Sequence, residues 1–390
     1  MCKYSFNSER KAVPSWDGKE FHFLKNNDMI DFHRSLSGYK PTPFIELTNT
    51  SNDLGTGEIL AKDESGRFGI KAFKALGASY AIFRVLKKIW EEKYSTGFDF
   101  QSFRDEEKLD KLGKFTFCAA SDGNHGRAVA WTSKMLGHNS VIFMPSETVS
   151  SRIKNIESES GKVVIIDGTY DDCVRVASEE AAKNGWYEIA DTAYPGYTDI
   201  PSWVLNGYST LFREMEEKVS EYNIGKNDFI FLQAGAGAFA ASGASWLIKQ
   251  LGSDRPKIVI VEPLEASCYL ESIIEGKAVA TKGKMETIMA GLNCGVPSII
   301  AWPILKDTAD LFITISDDYA KEAMRRYASE GITSGESGAS GLAGLIALMT
   351  DKTLEQAKSK IGIGKNSKII VVNTEGDTDP ENYKKIIGSK

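Results

Sequence analysis

The stretch FIFLQAGAGAFAASGASWLIK (229–249) contains a short apolar run, a glycine-rich loop and a segment that we predict to be a helix. Comparable strand-like runs, each rich in β-branched residues and bounded by Gly, Asp or Pro, recur at 114–120, 139–145, 162–168, 257–263 and 367–376. Amphipathic segments lie between them, for example 208–222 and 316–331. This alternation predicts an α/β protein with two open, mainly parallel sheets and flanking helices. Ligands of such sheets bind at the carboxyl ends of the strands.

Composition limits the class of protein. The chain has 390 residues, of which 42% are hydrophobic and 26% charged, which is typical of a soluble protein of two domains. The net charge of −6 is dispersed, so we expect no nucleic-acid partner. No run approaches the roughly 18 apolar residues that a membrane span needs. The N-terminal sequence has no apolar signal core, and we therefore predict a cytoplasmic protein without membrane contact.

The polar, weakly periodic stretch 94–114 predicts a connection between domains. We expect a large discontinuous domain of residues 1–95 and 201–390, and a smaller α/β domain of residues 96–200. The five cysteines and four histidines show no metal-binding spacing, so we predict no metal site. The cysteines should be free thiols in a reducing compartment, although pairing of Cys268 with Cys294 remains open.

The glycine loop is the first candidate ligand site. Backbone N–H groups of Gly235, Ala236, Gly237 and Ala238 can close on an anion at the start of the predicted helix. The loop also reads as G-x-G-x-x-A with Glu262 at the end of the next strand, which matches a dinucleotide fingerprint. The spacing does not separate a dinucleotide from a single phosphate, and a tight turn without a ligand is a third interpretation.

A second candidate site follows the strand at 114–120, in the stretch SDGNHG (121–126). Small residues and exposed N–H groups before a helix suit the close approach of a carboxylate or phosphate. The stretch offers the hydroxyl of Ser121, the carboxylate of Asp122, the small residue Gly123, and the amide of Asn124, which could hydrogen-bond a ring hydroxyl. A histidine in such a turn, here His125, is more often packed than a catalytic base.

The third candidate is Lys74, in the apolar, small-residue stretch AFKALGASY (72–80). Burial disfavours the charged form of a lysine, and the cation Lys71 at i−3 would act in the same direction. A neutral lysine attacks aldehydes to form a Schiff base. An amine, a monophosphate cradle and an amide for a ring oxygen together predict pyridoxal 5′-phosphate (PLP). NAD needs no such lysine.

These motifs also resemble a known family. The motifs occur in the order found in fold-type II PLP enzymes, the tryptophan synthase β-subunit superfamily. Along the chain they are PTPFIEL (41–47), AFKALGAS, SDGNHG, GAGAFA (235–240) and VEP (261–263). Longer stretches resemble the diaminopropionate ammonia-lyase family over residues 40–385. They are KDESGRFGIKAFKALGASYAI, SDGNHGRAVAWT, DTAYPGYTDIPSWVLNGYSTLFREM, MAGLNCGVPS, SGESGASGLAGL and NTEGDTDPENY.

The resemblance implies a role for each matching residue. Lys74 is the Schiff-base lysine, residues 235–238 hold the phosphate, and the 121–126 loop receives the substrate carboxylate. Asn373 and Thr374 are the candidates for contacting the pyridine nitrogen, and the hydroxyl favours Thr374. Asp122 and Asp191 line the substrate site, although each could instead cap a helix or loop.

The implied activity is amino-acid catabolism by α,β-elimination of 2,3-diaminopropionate, D, L or both, to pyruvate and two ammonia, with Lys74, Asp122 and Asp191 as catalytic residues. The acids, with Glu336, would hold the cationic β-ammonium group. A serine/threonine dehydratase of the same fold is the nearest alternative. An NAD-dependent oxidoreductase or a catalytically silent protein has less support. The superfamily analogy implies a homodimer.

Overall fold

A computed structural model describes residues 1–16, 18–121 and 123–388. The described residues form two compact units. The first contains residues 1–24, 41–66 and the chain from Leu211 onward, and the second contains residues 25–40 and 67–210. Within the described ranges, no helix has the length and apolar character needed to cross a membrane. Among the same residues, acidic, histidine and cysteine side chains form no group suited to a metal ion.

Each unit is built on one sheet. The strands are β1 (Tyr4–Phe6), β2 (Phe44–Glu46), β3 (Ile59–Asp63), β4 (Thr116–Ala120), β5 (Asn139–Pro145), β6 (Lys162–Ile166), β7 (Tyr187–Glu188), β8 (Phe229–Gln233), β9 (Lys257–Pro263), β10 (Leu311–Ile315) and β11 (Ile369–Asn373). The first unit has the strand order β1-β10-β9-β8-β11-β3-β2, and the second has β6-β5-β4-β7. Among the strands just named, the edge pairs β1–β10 and β2–β3 are antiparallel and the other described pairs are parallel.

The helices cover the faces of these sheets. They are α1 (Met29–Ser35), α2 (Thr48–Leu54), α3 (Lys74–Tyr94), α4 (Glu106–Leu112), α5 (Asn124–Met135), α6 (Ser150–Ser158), α7 (Tyr170–Asn184), α8 (Asp199–Arg213), α9 (Glu216–Glu221), α10 (Ala238–Leu251), α11 (Cys268–Glu275), α12 (Ala301–Thr308), α13 (Asp317–Ser329), α14 (Ser340–Thr350), α15 (Glu355–Ile361) and α16 (Pro380–Gly388). Short 3₁₀ helices lie at Lys19–Lys25, Glu64–Gly69, Phe100–Arg104, Gly252–Asp254, Ala290–Leu292 and Lys352–Leu354.

The α/β prediction with two mainly parallel sheets is confirmed. Each apolar run identified in the sequence contains a strand. The strands β3, β8, β10 and β11 are buried along their lengths, and β9 is buried after its first residue. Such strands lack polar alternation because helices cover both faces of a parallel sheet. The single helix expected over 208–222 is instead two helices, α8 and α9.

The boundary between the units differs from the expected domain boundary. The second unit contains residues 25–40, and its longer segment begins at Arg67 rather than at residue 96. It includes α3, which packs along α5. The stretch 94–114, expected to be a connection, contains a 3₁₀ helix and α4 and belongs to this unit. Lys74 and the SDGNHG loop therefore lie in the same compact unit.

Two glycines let α3 and α8 approach closely near Lys74. A Cβ atom at Gly77 would lie 2.4 Å from Cε1 of Tyr208, and one at Gly207 would lie 2.3 Å from the carbonyl oxygen of Leu76. The second contact is with backbone, which has no rotamer by which to move away. The direction of the first turn of α3, which carries Lys74, therefore depends on this contact.

We expect Gly207→Ala to lower the midpoint of urea-induced unfolding, because the new methyl group overlaps the Leu76 carbonyl oxygen. Overpacking of this kind costs about 1–3 kcal/mol. The matched control is Gly97→Ala, where no atom lies within 4 Å of the added carbon and φ is not positive. Equal midpoints for the two variants would contradict the proposed close packing.

Candidate active site

Lys74 is the first residue of α3, and its amine is paired with a carboxylate. Nζ of Lys74 contacts Oδ2 of Asp191, and the two side chains are 18% and 17% exposed. The same nitrogen lies 5.4 Å from the ring centroid of Phe73 and 5.8 Å from that of Tyr208. Aromatic faces at this distance attract a cation. The amine is thus half-buried among rings and is paired with the carboxylate of Asp191.

Lys71 does not act on Lys74 in the way that the sequence suggested. The helix begins at Lys74, and Lys71 precedes it with a left-handed φ of 61°. The two residues are therefore not neighbours on successive turns of one helix, and the argument from i−3 spacing is wrong. The partner that the structure provides is a carboxylate, which favours the ammonium form of the lysine rather than the neutral form.

Asp191 is placed to remain ionised. Burial by itself would raise the pKa of its carboxyl, but the positive charges of Lys74 and His125 outweigh burial, and the pKa lies well below its ordinary value. Nδ1 of His125 is 3.8 Å from Oδ2 of Asp191. A carboxylate that stays charged at neutral pH is suited to hold a cation.

His125 is packed in the first turn of α5. The residue is 7% exposed, and Nε2 donates a 2.6 Å hydrogen bond to the carbonyl oxygen of Ile189. Because the carbonyl group can only accept, Nε2 carries a proton and Nδ1 is the atom that faces Asp191. The structure therefore brings Lys74, Asp191 and His125 together within the second unit.

Ser121 shapes the SDGNHG loop. Its buried Oγ accepts hydrogen bonds from the N–H groups of Gly123 (3.0 Å) and Gly126 (2.8 Å). Asn124, the first residue of α5, is half-buried. Asp122 lies outside the described residues. The loop therefore begins with a serine that fixes the backbone, while its own hydroxyl proton is not used in these two bonds.

Sequence reasoning missed two side chains near these residues. Tyr208 is fully buried, and burial raises the pKa of its phenol although the charge of Lys74 opposes this rise. Arg152 of α6 approaches the SDGNHG loop, with Nε 3.7 Å from the position of a Cβ atom at Gly123. Tyr208 lies within a stretch that resembles the family and Arg152 lies outside every such stretch, but no spacing places either side chain, so only the tertiary structure shows that each is near.

In the first unit, the glycine loop joins β8 to α10. Gly237 has φ 97°, and a Cβ atom there would lie 2.0 Å from Oη of Tyr269. A Cβ atom at Gly235 would lie 2.9 Å from Cα of Leu292. Within the part of the chain that the structure describes, the N–H groups of residues 235–238 donate no hydrogen bond to protein. These donors are therefore available to an anion at the N-terminus of α10.

Glu262 has a different role from the one that a dinucleotide site would need. Its two carboxylate oxygens each accept a hydrogen bond of 2.7 Å, one from the N–H of Tyr269 and one from that of Leu270. Burial raises the pKa of this carboxyl to about 8, although both donors lower it. Both oxygens of Glu262 are bonded to N–H groups in the first turn of α11. We therefore do not assign this acid to a ribose hydroxyl. The loop therefore fits a single phosphate better than NAD.

Asn373 and Thr374 differ in how they are bonded. The amide of Asn373 donates to Oδ1 of Asp63 (2.8 Å) and accepts from Oγ of Ser334 (2.7 Å). Oγ1 of Thr374 accepts a hydrogen bond of 3.2 Å from Nε2 of Gln233. The hydroxyl proton of Thr374 is not used by that bond, so it remains available to an acceptor such as a pyridine nitrogen.

Glu336, which the resemblance associated with the β-ammonium group, is buried and accepts a hydrogen bond from the amide of Asn382.

The sequence left open whether Cys268 and Cys294 pair. Cys268 is buried, Cys294 is half-buried, and the described residues contain no disulfide between them. Burial raises the pKa of the Cys268 thiol well above its ordinary value, so this cysteine remains protonated.

Comparison with known proteins places the chain. Residues 36–374 match the family model described as pyridoxal-phosphate dependent enzyme. Diaminopropionate ammonia-lyase of Salmonella typhimurium is 36% identical, and the match covers 99% of this chain and 98% of that protein. The crystal structure of the Escherichia coli diaminopropionate ammonia lyase in complex with D-serine has a TM-score of 0.88 at 35% identity, with 99% and 97% of the two chains covered.

A second structure of the Escherichia coli protein, in complex with an aminoacrylate-PLP azomethine reaction intermediate, has a TM-score of 0.86 at the same identity and coverage. The matches span nearly the whole of both chains. The chain therefore belongs to the pyridoxal-phosphate dependent enzymes and, within them, to the diaminopropionate ammonia-lyase family.

Proposed function

We propose that this protein is a PLP-dependent ammonia-lyase that converts 2,3-diaminopropionate to pyruvate and two molecules of ammonia. The observation that carries the proposal is the half-buried pair of Lys74 and Asp191, which joins the amine that PLP needs to an acid suited to a diamine. The near full-length similarity to diaminopropionate ammonia-lyases supports the same activity.

The residues of the chain fit the cofactor. Lys74 supplies the amine for its aldehyde, the N–H groups of residues 235–238 supply donors for its phosphate, and glycine is required at two of these positions. The hydroxyl of Thr374 is assigned to the pyridine nitrogen and the amide of Asn124 to the ring hydroxyl. When bound, PLP supplies an electron sink for the electron pair left at Cα.

We assign removal of the substrate's Cα proton to Lys74 and Asp122. Each can take a proton from one face of the substrate, and two bases on opposite faces would allow both enantiomers to react. The loop of residues 121–126 is assigned the substrate carboxylate, and Ser121 fixes the shape of this loop by accepting from the N–H groups of Gly123 and Gly126. Gly123 is assigned to the same contact as a small residue that permits close approach of the carboxylate.

Asp191 is assigned the β-nitrogen of the substrate. Its lowered pKa keeps the carboxylate charged, and a carboxylate partner keeps the β-amine protonated as –NH₃⁺. A protonated amine leaves as neutral NH₃, whereas an unprotonated one would have to leave as an amide ion. His125 acts through Asp191, because its positive charge helps to keep that carboxylate ionised.

A serine/threonine dehydratase remains the second candidate because it needs no change of fold. Serine and threonine carry a neutral β-hydroxyl group and do not need the charge of Asp191. We therefore consider activity on D-serine a side reaction. We also propose, by analogy with the superfamily, that the protein works as a cytoplasmic homodimer.

We expect borohydride reduction of the protein with bound PLP to leave a pyridoxyl group on Lys74, because this amine forms the covalent link. Lys74→Ala should lose both the tag and pyruvate formation from diaminopropionate. Mass spectrometry of the digested protein locates the tag. The control is Lys93→Ala, an exposed lysine on the same helix, which should keep both. A tag on any other lysine would refute the assignment.

We expect Asp191→Asn to lower kcat/KM for diaminopropionate roughly 10- to 100-fold more than kcat/KM for D-serine, because only the diamine carries a β-ammonium group and a charged hydrogen bond contributes about 1.5–3 kcal/mol. Pyruvate release from each substrate is measured. Asp199→Asn is the matched control, since that carboxylate is 69% exposed and lies 3.8 Å from Lys88. Equal losses on both substrates would rule out selective binding of the β-ammonium group.

We expect Asp122→Asn to affect the two enantiomers of diaminopropionate unequally, because Asp122 and Lys74 are assigned opposite faces of Cα. General-base catalysis contributes about 10²–10⁴ in rate, so kcat for one enantiomer should fall by at least 10² relative to the other. Turnover of the D and L forms is measured separately. If both fall by the same factor, the two-base assignment fails.

A further inference from the structure

We infer that Tyr269 and Glu262 are positioning residues for the cofactor phosphate, because they orient the Ala236–Gly237 peptide of the glycine loop. The inference rests on the proposed function only in that PLP binds with its phosphate at residues 235–238. It concerns contacts within the first unit.

Tyr269 holds one side of this peptide. Its hydroxyl donates a 2.7 Å hydrogen bond to the carbonyl oxygen of Ala236, and the N–H of Ser298 donates a second bond of 3.1 Å to the same oxygen. A peptide group is planar and trans, so its N–H points in the direction opposite to its C=O. Two donors on the carbonyl therefore fix the direction of the Gly237 N–H, which is one of the donors available to the phosphate.

Gly237 is shaped to accept this side chain. Its φ of 97° and its missing side chain allow the Tyr269 hydroxyl to lie where a Cβ atom would be only 2.0 Å away. The tyrosine and the glycine are thus matched to each other, and a side chain at position 237 would displace the phenol from the loop.

Glu262 in turn fixes Tyr269. Both of its oxygens are bonded to backbone N–H groups of α11, at Tyr269 and Leu270, and the carboxylate is completely buried. The ring of Tyr269 is also fully buried and lies 6.2 Å from the ring of Trp302. The acid at the end of β9 therefore acts through Tyr269 on the glycine loop, which gives the VEP motif a role in phosphate binding without any contact with the ligand.

The test compares PLP with pyridoxal, which lacks the phosphate but has the same ring and aldehyde. Full-length protein freed of cofactor is titrated with each compound, for the wild type and for Tyr269→Phe. We expect Tyr269→Phe to weaken PLP binding roughly fivefold to tenfold, as for loss of one hydrogen bond, and to leave pyridoxal binding unchanged. The ³¹P resonance of bound PLP should also shift.

The matched control is Tyr327→Phe. Tyr327 is a fully buried tyrosine of α13 in the same unit, and among the described residues its hydroxyl has no hydrogen-bond partner. Removing it should leave both affinities and the ³¹P resonance unchanged. Glu262→Gln, which keeps the shape of the side chain but turns one acceptor into a donor, should change PLP affinity in the same direction as Tyr269→Phe.

The outcomes separate this inference from the proposed function. A wild-type protein that binds no PLP would refute the proposed function itself. If the wild type binds PLP and Tyr269→Phe binds it equally well, only the positioning role fails. Equal weakening of PLP and pyridoxal would also overturn the role, because it would show a general structural effect rather than one on the phosphate.

Discussion

The pair formed by Lys74 and Asp191 is the interaction on which the proposed chemistry of this protein depends. Burying an unpaired ammonium group or an unpaired carboxylate is unfavourable. When the two groups pair, their attraction offsets part of the cost of removing each from water. The close approach of α3 and α8 at Gly77 and Gly207 sets the start of α3, where the amine lies. The backbone packing of the second unit therefore determines where the reactive nitrogen is held.

The glycine loop obeys a different constraint. Gly235 and Gly237 are required because other parts of the first unit occupy the space that a side chain would need, namely Leu292 and the hydroxyl of Tyr269. The glycines of the sequence motif are therefore explained by packing. The backbone that they permit leaves the N–H groups of the loop available to an anion.

Most of the central strands could be predicted from the sequence, because buried parallel strands are continuous apolar runs. The bounds of β5 and β9 coincide with the apolar runs 139–145 and 257–263. The two- and three-residue strands β1, β2 and β7 are too short to show a period. Asp191 was found through the family motif, but its pairing with Lys74 was not, because they are far apart in sequence. Glu262 resembled a ribose ligand, since a sequence cannot show that both oxygens are already bonded.

The pairing of Lys74 with Asp191 also suggests how substrate choice and covalent chemistry are related. The ammonium group of a lysine and the β-ammonium group of diaminopropionate have the same charge and the same three donors. A carboxylate whose pKa is lowered by one of them is equally suited to the other. An acid that pairs with the protein's own amine is thus suited to a diamine substrate, whereas a β-hydroxyl group would bring it no second cation. Under the proposed function, the carboxylate that pairs with Lys74 would therefore also distinguish diaminopropionate from serine.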